Sequence, residues 1–281
     1  MHVPSRNNQQ QHHAVLRIEY DGTPFSGWVR QPDRSTIEGE LLAAFAALGC
    51  TQVELRCAGR TDAGVHATAQ VADAKYVGAV PPERLPRALA RVLPDELAIV
   101  AAMTAPLGFN ARSDATSRAY EYRILTRSIH SPVRATRVLH HPRPLDRDLL
   151  DAAAAAVIGQ HTFSTFTPAR SEHTYFERTI VTSRFIDRGD ELIYEVRANA
   201  FLRRMVRMLV GTMLAVGRGE LTLEEFIPLL EGDPRSEAIT TALPHALCLV
   251  DVTWEPFAGL PLPPNWRLER PGRPHAFPTT G

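Results

Sequence analysis

Apolar and polar positions alternate through AVLRIEY (14–20), which predicts a strand. STIEGELLAAFAAL (35–48) instead spaces its apolar residues as a helix does, with Ser35 or Thr36 as cap and Glu38 and Glu40 near its start. Alternation returns in QVELRCA (52–58) and ATAQVADAKY (67–76). A proline-led helix follows at PPERLPRALARVL (81–93), then a strand at ELAIVAAM (96–103).

The second half runs in the same order. TSRAYEYRIL (116–125) reads as a strand, RDLLDAAAAAVIG (147–159) as a helix, and RTIVTSRFID (178–187) with ELIYEVRANA (191–200) as paired strands turned at Arg188-Gly189-Asp190. FLRRMVRMLVGTMLAV (201–216) and LTLEEFIPLL (221–230) read as helices, and ALCLVDVTW (246–254) closes the set as a strand. Two β-α-β-β-α-β units, joined near 104–115, predict an α+β fold of two ferredoxin-like (split β-α-β) domains. Their antiparallel sheets would carry helices on one face and flank a central cleft for an extended ligand such as RNA. The domains are predicted at 14–106 and 107–255. A polar tail (1–13) and a Pro- and Arg-rich tail (256–281) read as disordered.

Composition narrows the class. Hydrophobic residues make up 44% and charged residues 22% of 281, the profile of a globular protein with a real core. Net charge is zero, yet Lys75 is the only lysine among 31 basic residues. Arginine grips phosphate with a planar fork and stacks on bases, so the bias suits RNA; compositional drift explains it equally well. Cys50, Cys57 and Cys248 predict neither a disulfide framework nor a zinc site, which fits a reducing cytosol. The N-terminus has no apolar signal region and no stretch reaches a membrane span, so the expectation is a soluble cytoplasmic protein without membrane contact.

One segment carries chemistry. GRTDAGVHA (59–67) lies in the connection between the second and third strands. Its glycines and small polar residues spell a turn, and Asp62 could simply cap a backbone amide there. The longer run CAGRTDAGVHATAQV (57–71), however, resembles the active-site segment of the tRNA pseudouridine synthases of the TruA type. So do YDGTPFSGWVRQ (20–31), GFNARSDATSRAYEYRI (108–124), GQHTFSTF (159–166), NAFLRRMVRMLVGTML (199–214) and LPHALCLVDVTW (243–254), in order. Ala69, Asn110, Arg203-Arg204 and Ala246 depart from the residues usual in that family.

The resemblance implies an isomerase that turns uridine into pseudouridine at positions 38–40 of the tRNA anticodon stem-loop. It needs no cofactor and works as a homodimer. It implies Asp62 as nucleophile at the sugar C1′ or ring C6, an ionised carboxylate that needs a cation beside it. Arg207 is that cation by resemblance; read alone, it is a helix arginine snorkelling past an apolar face. Tyr120 would stack on the uracil, in a position to take part in removing the C5 proton, although a strand tyrosine is ordinarily core packing. Leu247 would pack against the flipped base or serve as plain core. Arg60 would contact RNA beside that base or bridge across its own loop. Arg17, Arg30, Lys75, Arg112, Arg118, Arg203 and Arg204 are candidate phosphate contacts.

Other chemistry finds less support. Asp62 and His66 lack the further ligands a metal needs, and Asp62 with His66 and Ser26 lacks a nucleophile elbow. The alternatives are a non-catalytic double ferredoxin-like RNA-binding module, or a synthase of the same kind acting on another RNA. Asp62, Tyr120 and Arg207 together favour catalysis, since a binding module needs no such set.

Overall fold

The computed structural model describes residues 10–170, 174–232 and 239–254. The predicted tail at 256–281 and residues 1–9 lie outside them. Residues 10–13, assigned above to the N-terminal tail, belong instead to strand β1 (Gln10–Tyr20), where they pair with Lys75–Gly78. Four polar residues conceal a strand whose backbone partners are all inside the fold.

The predicted elements occur in the predicted order, together with two short strands, Leu139–His140 and Gly159–Thr162, that the alternation did not predict. After β1 come α1 (Ile37–Ala47), β2 (Thr51–Cys57), β3 (His66–Gly78), α2 (Leu85–Leu89) and β4 (Leu97–Thr104). The second half holds β5 (Ser117–Leu125), β6 (Leu139–His140), α3 (Arg147–Ala156), β7 (Gly159–Thr162), β8 (Glu177–Arg188) and β9 (Glu191–Ala198). It ends with α4 (Met205–Gly217), α5 (Leu223–Leu230) and β10 (Leu247–Thr253). Thr36 caps α1 by accepting from the Gly39 amide, and Thr222 with Glu225 forms a capping box on α5. No helix among the described residues is long and apolar enough to cross a membrane.

The two sheets expected from the repeat are one mostly antiparallel sheet, ordered β4-β1-β3-β10-β5-β9-β8-β7, with β2 on β3 and β6 on β5. The last strand makes the join. β10 runs parallel to β3 (Cys248 opposite His66, Leu249 opposite Ala67) and antiparallel to β5 (Leu247 opposite Tyr122). Pairing with both neighbours at Cys248 and Leu249 joins the two halves into one sheet. The cleft accordingly lies over the centre of a continuous sheet rather than between two sheets.

α4 begins at Met205 rather than Phe201. Arg204 adopts a left-handed backbone (φ 60), which keeps Phe201–Arg203 out of the helix. Every α4 residue except Arg207 is buried. At Gly211 the helix touches the segment ahead of β10 so closely that a Cβ would stand 2.3 Å from the Thr240 carbonyl oxygen.

Candidate active site

The GRTDAGVHA loop leaves β2 at Cys57 and enters β3 at His66, and its backbone is fixed from both sides. The Thr61 carbonyl accepts from the Trp28 amide, and the Thr61 hydroxyl is 2.8 Å from the buried Tyr20 phenol. Gln70, wholly buried, donates its amide to the Gly59 carbonyl at 2.6 Å. Gly27 allows this packing: its φ is +96°, and a Cβ there would meet the Thr61 carbonyl oxygen at 2.9 Å. The amide of Val65 donates back to the Asp62 carbonyl, closing a turn that leaves the Asp62 side chain at the edge of a cleft of about 1090 Å³.

Arg207 crosses that cleft to meet it. Arg207 Nη1 donates to Asp62 Oδ2 at 3.0 Å, while its Nε donates to the Ala242 carbonyl at 2.8 Å. The second bond fixes the guanidinium plane, so the pair is oriented as well as charged. Both side chains are mostly shielded, 13% exposed for Arg207 and 26% for Asp62.

Tyr120 rises from β5 into the same cleft, and its ring meets Phe201 edge-on with centroids 5.2 Å apart. A Cβ on Gly59 would lie 3.5 Å from the Tyr120 hydroxyl, so the phenol sits against the root of the Asp62 loop. Burial, and then the Asp62 charge, push this phenol well above its usual pKa, while Arg118 pulls it back. Leu247, the first residue of β10, lines the cleft beside Pro244, and Arg60 lines it on the loop itself. All five residues singled out from sequence therefore converge on one cavity.

The cleft is electrostatically one-sided. Among the described residues lining it are Arg60, Arg112, Arg118, Arg178, Arg203, Arg204 and Arg207, against one carboxylate, Asp62. A low-dielectric groove with that balance favours a polyanion. Arg118 is not a phosphate contact. Its guanidinium is buried and donates only to backbone carbonyls: Ala58, Arg112, Ala115 and Asn199. It ties the root of the Asp62 loop to the chain that joins the two halves. Of the other candidates, Arg17 is buried in β1, and Lys75 lines a separate cavity with His13 and Arg56. Arg178 and Phe201 were missed. Arg178 sits in a strand of ordinary alternation, and Phe201 was read as part of a helix, so neither carried a local signal.

A sequence model of the tRNA pseudouridine synthases matches residues 17–114 and 153–255. Proteins named tRNA pseudouridine synthase A from Pseudoalteromonas atlantica and Shewanella amazonensis are 37% and 38% identical to it. Their alignments cover 88% of this chain in both cases and 94% and 95% of the relatives. The protein of that name from Frankia casuarinae is 40% identical, over 86% of this chain and 89% of its own. With that match running through the Asp62 loop, α4 and β10, the chain belongs to the tRNA pseudouridine synthase family, a family of isomerases.

Proposed function

We propose that this protein converts uridine to pseudouridine in the anticodon stem-loop of tRNA, at positions 38–40, with Asp62 as the nucleophile. The observation that carries the reading is the convergence of Asp62, Arg207 and Tyr120 in one arginine-lined cleft.

The chemistry is an isomerisation in which nothing is gained or lost overall. The N1–C1′ bond breaks, a C5–C1′ bond forms, the C5 proton leaves to solvent and N1 takes a proton. A carboxylate can bond transiently to C1′ or to C6 and so hold one fragment while the base turns over. Arg207 aims Asp62 through their 3.0 Å bond. Tyr120 and Phe201 offer aromatic faces and edges to a base taken out of the stack, and Leu247 closes the apolar side. Extrusion from a stem costs a few kcal/mol. Arg60, Arg112, Arg203 and Arg204 contribute the phosphate contacts that offset it.

The lining residues come from both halves of the chain, and we read these halves as two ferredoxin-like units that share the cleft on one continuous sheet. By the family resemblance the protein works in the cytoplasm as a homodimer with the tRNA lying across both subunits.

The test uses tRNA transcripts carrying tritium at uracil C5. Transcripts with uridine at 38–40 should release tritium to water, and those with cytidine there should not. Release that persists without uridine at 38–40 transfers the activity to another position or RNA. No release from any transcript overturns the reading.

A further inference from the structure

The histidine of the Asp62 motif has no part in the chemistry above, yet both of its ring nitrogens are engaged. His66 is 1% exposed and does not line the cleft. Its Nδ1 accepts the Gly22 amide hydrogen at 3.0 Å. The imidazole is therefore neutral with its proton on Nε2, and that N–H is shared between the carbonyls of His245 and Thr136, each at 2.9 Å. Asp21 Oδ1 stands 3.2 Å from Nδ1, but the Gly22 hydrogen already occupies that lone pair. Asp21 is held instead by Thr23 and Arg137.

His245 belongs to the segment Ala242–Leu247, whose first residue is bonded twice to Arg207. The Ala242 carbonyl accepts from Arg207 Nε and the Ala242 amide donates to the Arg207 carbonyl at 3.0 Å. The Leu243 carbonyl accepts the Tyr122 hydroxyl, and Pro244 packs where a Cβ on Gly64 would come within 3.1 Å. The His245 ring makes a second anchor, donating from Nε2 to the Val138 carbonyl at 3.1 Å. One end of this segment thus grips Arg207, its middle rests on the Asp62 loop, and its last residue is Leu247.

We infer that His66 is a positioning residue: through its Nε2–H bond to the His245 carbonyl it braces the Ala242–Leu247 segment against the Asp62 loop, and so sets the Asp62–Arg207 geometry. The inference rests on the reading of Asp62 and Arg207 given above. It separates His66 from the residues that touch RNA, and it assigns the effect to one of the two ring nitrogens.

That assignment makes it testable with two amides. In His66→Gln the side-chain amide reaches the place of Nε2 and keeps the bond to His245. In His66→Asn it reaches only the place of Nδ1 and keeps Gly22. With tritium release as the assay, His66→Gln should retain kcat within about threefold, whereas His66→Asn should lose about tenfold or more. Both should bind tRNA within about twofold of the parent, because neither alters the cleft lining. A merely structural role would lower Tm in both and spare kcat of the folded protein. Equal losses in kcat, or a His66→Asn enzyme with parental kcat, overturn the inference. If His66→Asn does not fold, His66→Gln decides: the brace predicts kcat within about threefold of the parent, and a folded His66→Gln enzyme that loses about tenfold or more overturns it. Asp62→Ala serves as control: activity surviving there sinks the proposed function itself, whereas an inactive Asp62→Ala beside a fully active His66→Asn sinks only the role of His66.

Discussion

Arg207 Nη1 and Asp62 Oδ2 stand 3.0 Å apart although 145 residues separate them in the chain. Arg207 is the one residue of α4 that is not buried among apolar neighbours, and its second bond, to the Ala242 carbonyl, leaves it a single orientation. A cation held this way does more than neutralise a carboxylate. It engages Oδ2 of Asp62 and so distinguishes the two carboxylate oxygens.

Arg207→Lys therefore tests geometry apart from charge. Lysine keeps the cation but cannot hold the carboxylate and the Ala242 carbonyl with one rigid fork. Single-turnover measurements should show kcat reduced by about 10²-fold, the scale of a misplacement near 1 Å, with tRNA affinity little changed. Parental kcat in this variant would show that charge alone suffices.

The raised pKa of Tyr120 bears on its role. Burial and the Asp62 charge keep the phenol protonated well beyond the ordinary tyrosine range. The ratio of rates for the parent and Tyr120→Phe should then stay constant from about pH 7 to about pH 9.5, because the unperturbed phenol titrates only near 10. A ratio that climbs with pH in that interval would identify Tyr120 phenolate as a working base.

Much of this site was legible in the sequence, and the gaps have physical causes. The Asp62 loop is local, so its glycines and turn formers announced it. Arg207 was legible only through the resemblance, since read alone it is a helix arginine passing an apolar face; the structure brings it to Asp62. The strands were found because alternation is a property of each strand alone. Their partners were not, because pairing between β3 and β10 joins distant parts of the chain and leaves no mark in either local pattern. The polar residues Gln10–His13 hid a strand, and Arg204 hid a helix start, since a left-handed backbone at arginine has no composition signature. Arg118 was mistaken for a surface contact because nothing local tells a buried guanidinium capped by carbonyls from a solvated one.

Binding should be strongly salt-dependent. Among the described residues the cleft lining holds Arg60, Arg112, Arg178, Arg203 and Arg204 besides the buried Arg118 and the Asp62-bonded Arg207, so tRNA association releases counterions from several phosphates. Arg112→Gln should weaken binding to all tRNAs alike and reduce the slope of log Kd against log salt by about 1. An unchanged slope would remove Arg112 from the phosphate contacts.

Stability should hold a plateau bounded by two sets of buried groups. Burial raises the phenols of Tyr20, Tyr120 and Tyr194, so the unfolded chain loses those protons first. Their contribution is complete below about pH 10 and is lost as the pH rises. Burial lowers the imidazoles of His66 and His141, so the unfolded chain gains those protons first, and stability falls as the pH drops below about 6.5. Urea unfolding followed from pH 5 to pH 11 should show both shoulders; a flat profile would contradict the burial-driven shifts of these groups.

Gly27→Ala should damage the site through its scaffold. The substitution puts a Cβ 2.9 Å from the Thr61 carbonyl oxygen and forces alanine to φ +96°. A loss of about 1–3 kcal/mol in unfolding free energy is expected, with kcat reduced because the displaced residue is next to Asp62. Parental stability and kcat together would mean that the Trp28–Thr61 contact does not hold the loop.

The most direct test of the whole account is tritium release from C5-labelled tRNA by the Asp62→Ala and Asp62→Asn proteins, each first shown to be folded and to bind tRNA. The account predicts that both bind and that both fall to background, a loss of about 10⁴-fold or more for removal of a nucleophile. Measurable turnover by folded Asp62→Ala would contradict it, and would return Asp62 to the turn-forming role that its loop alone suggests.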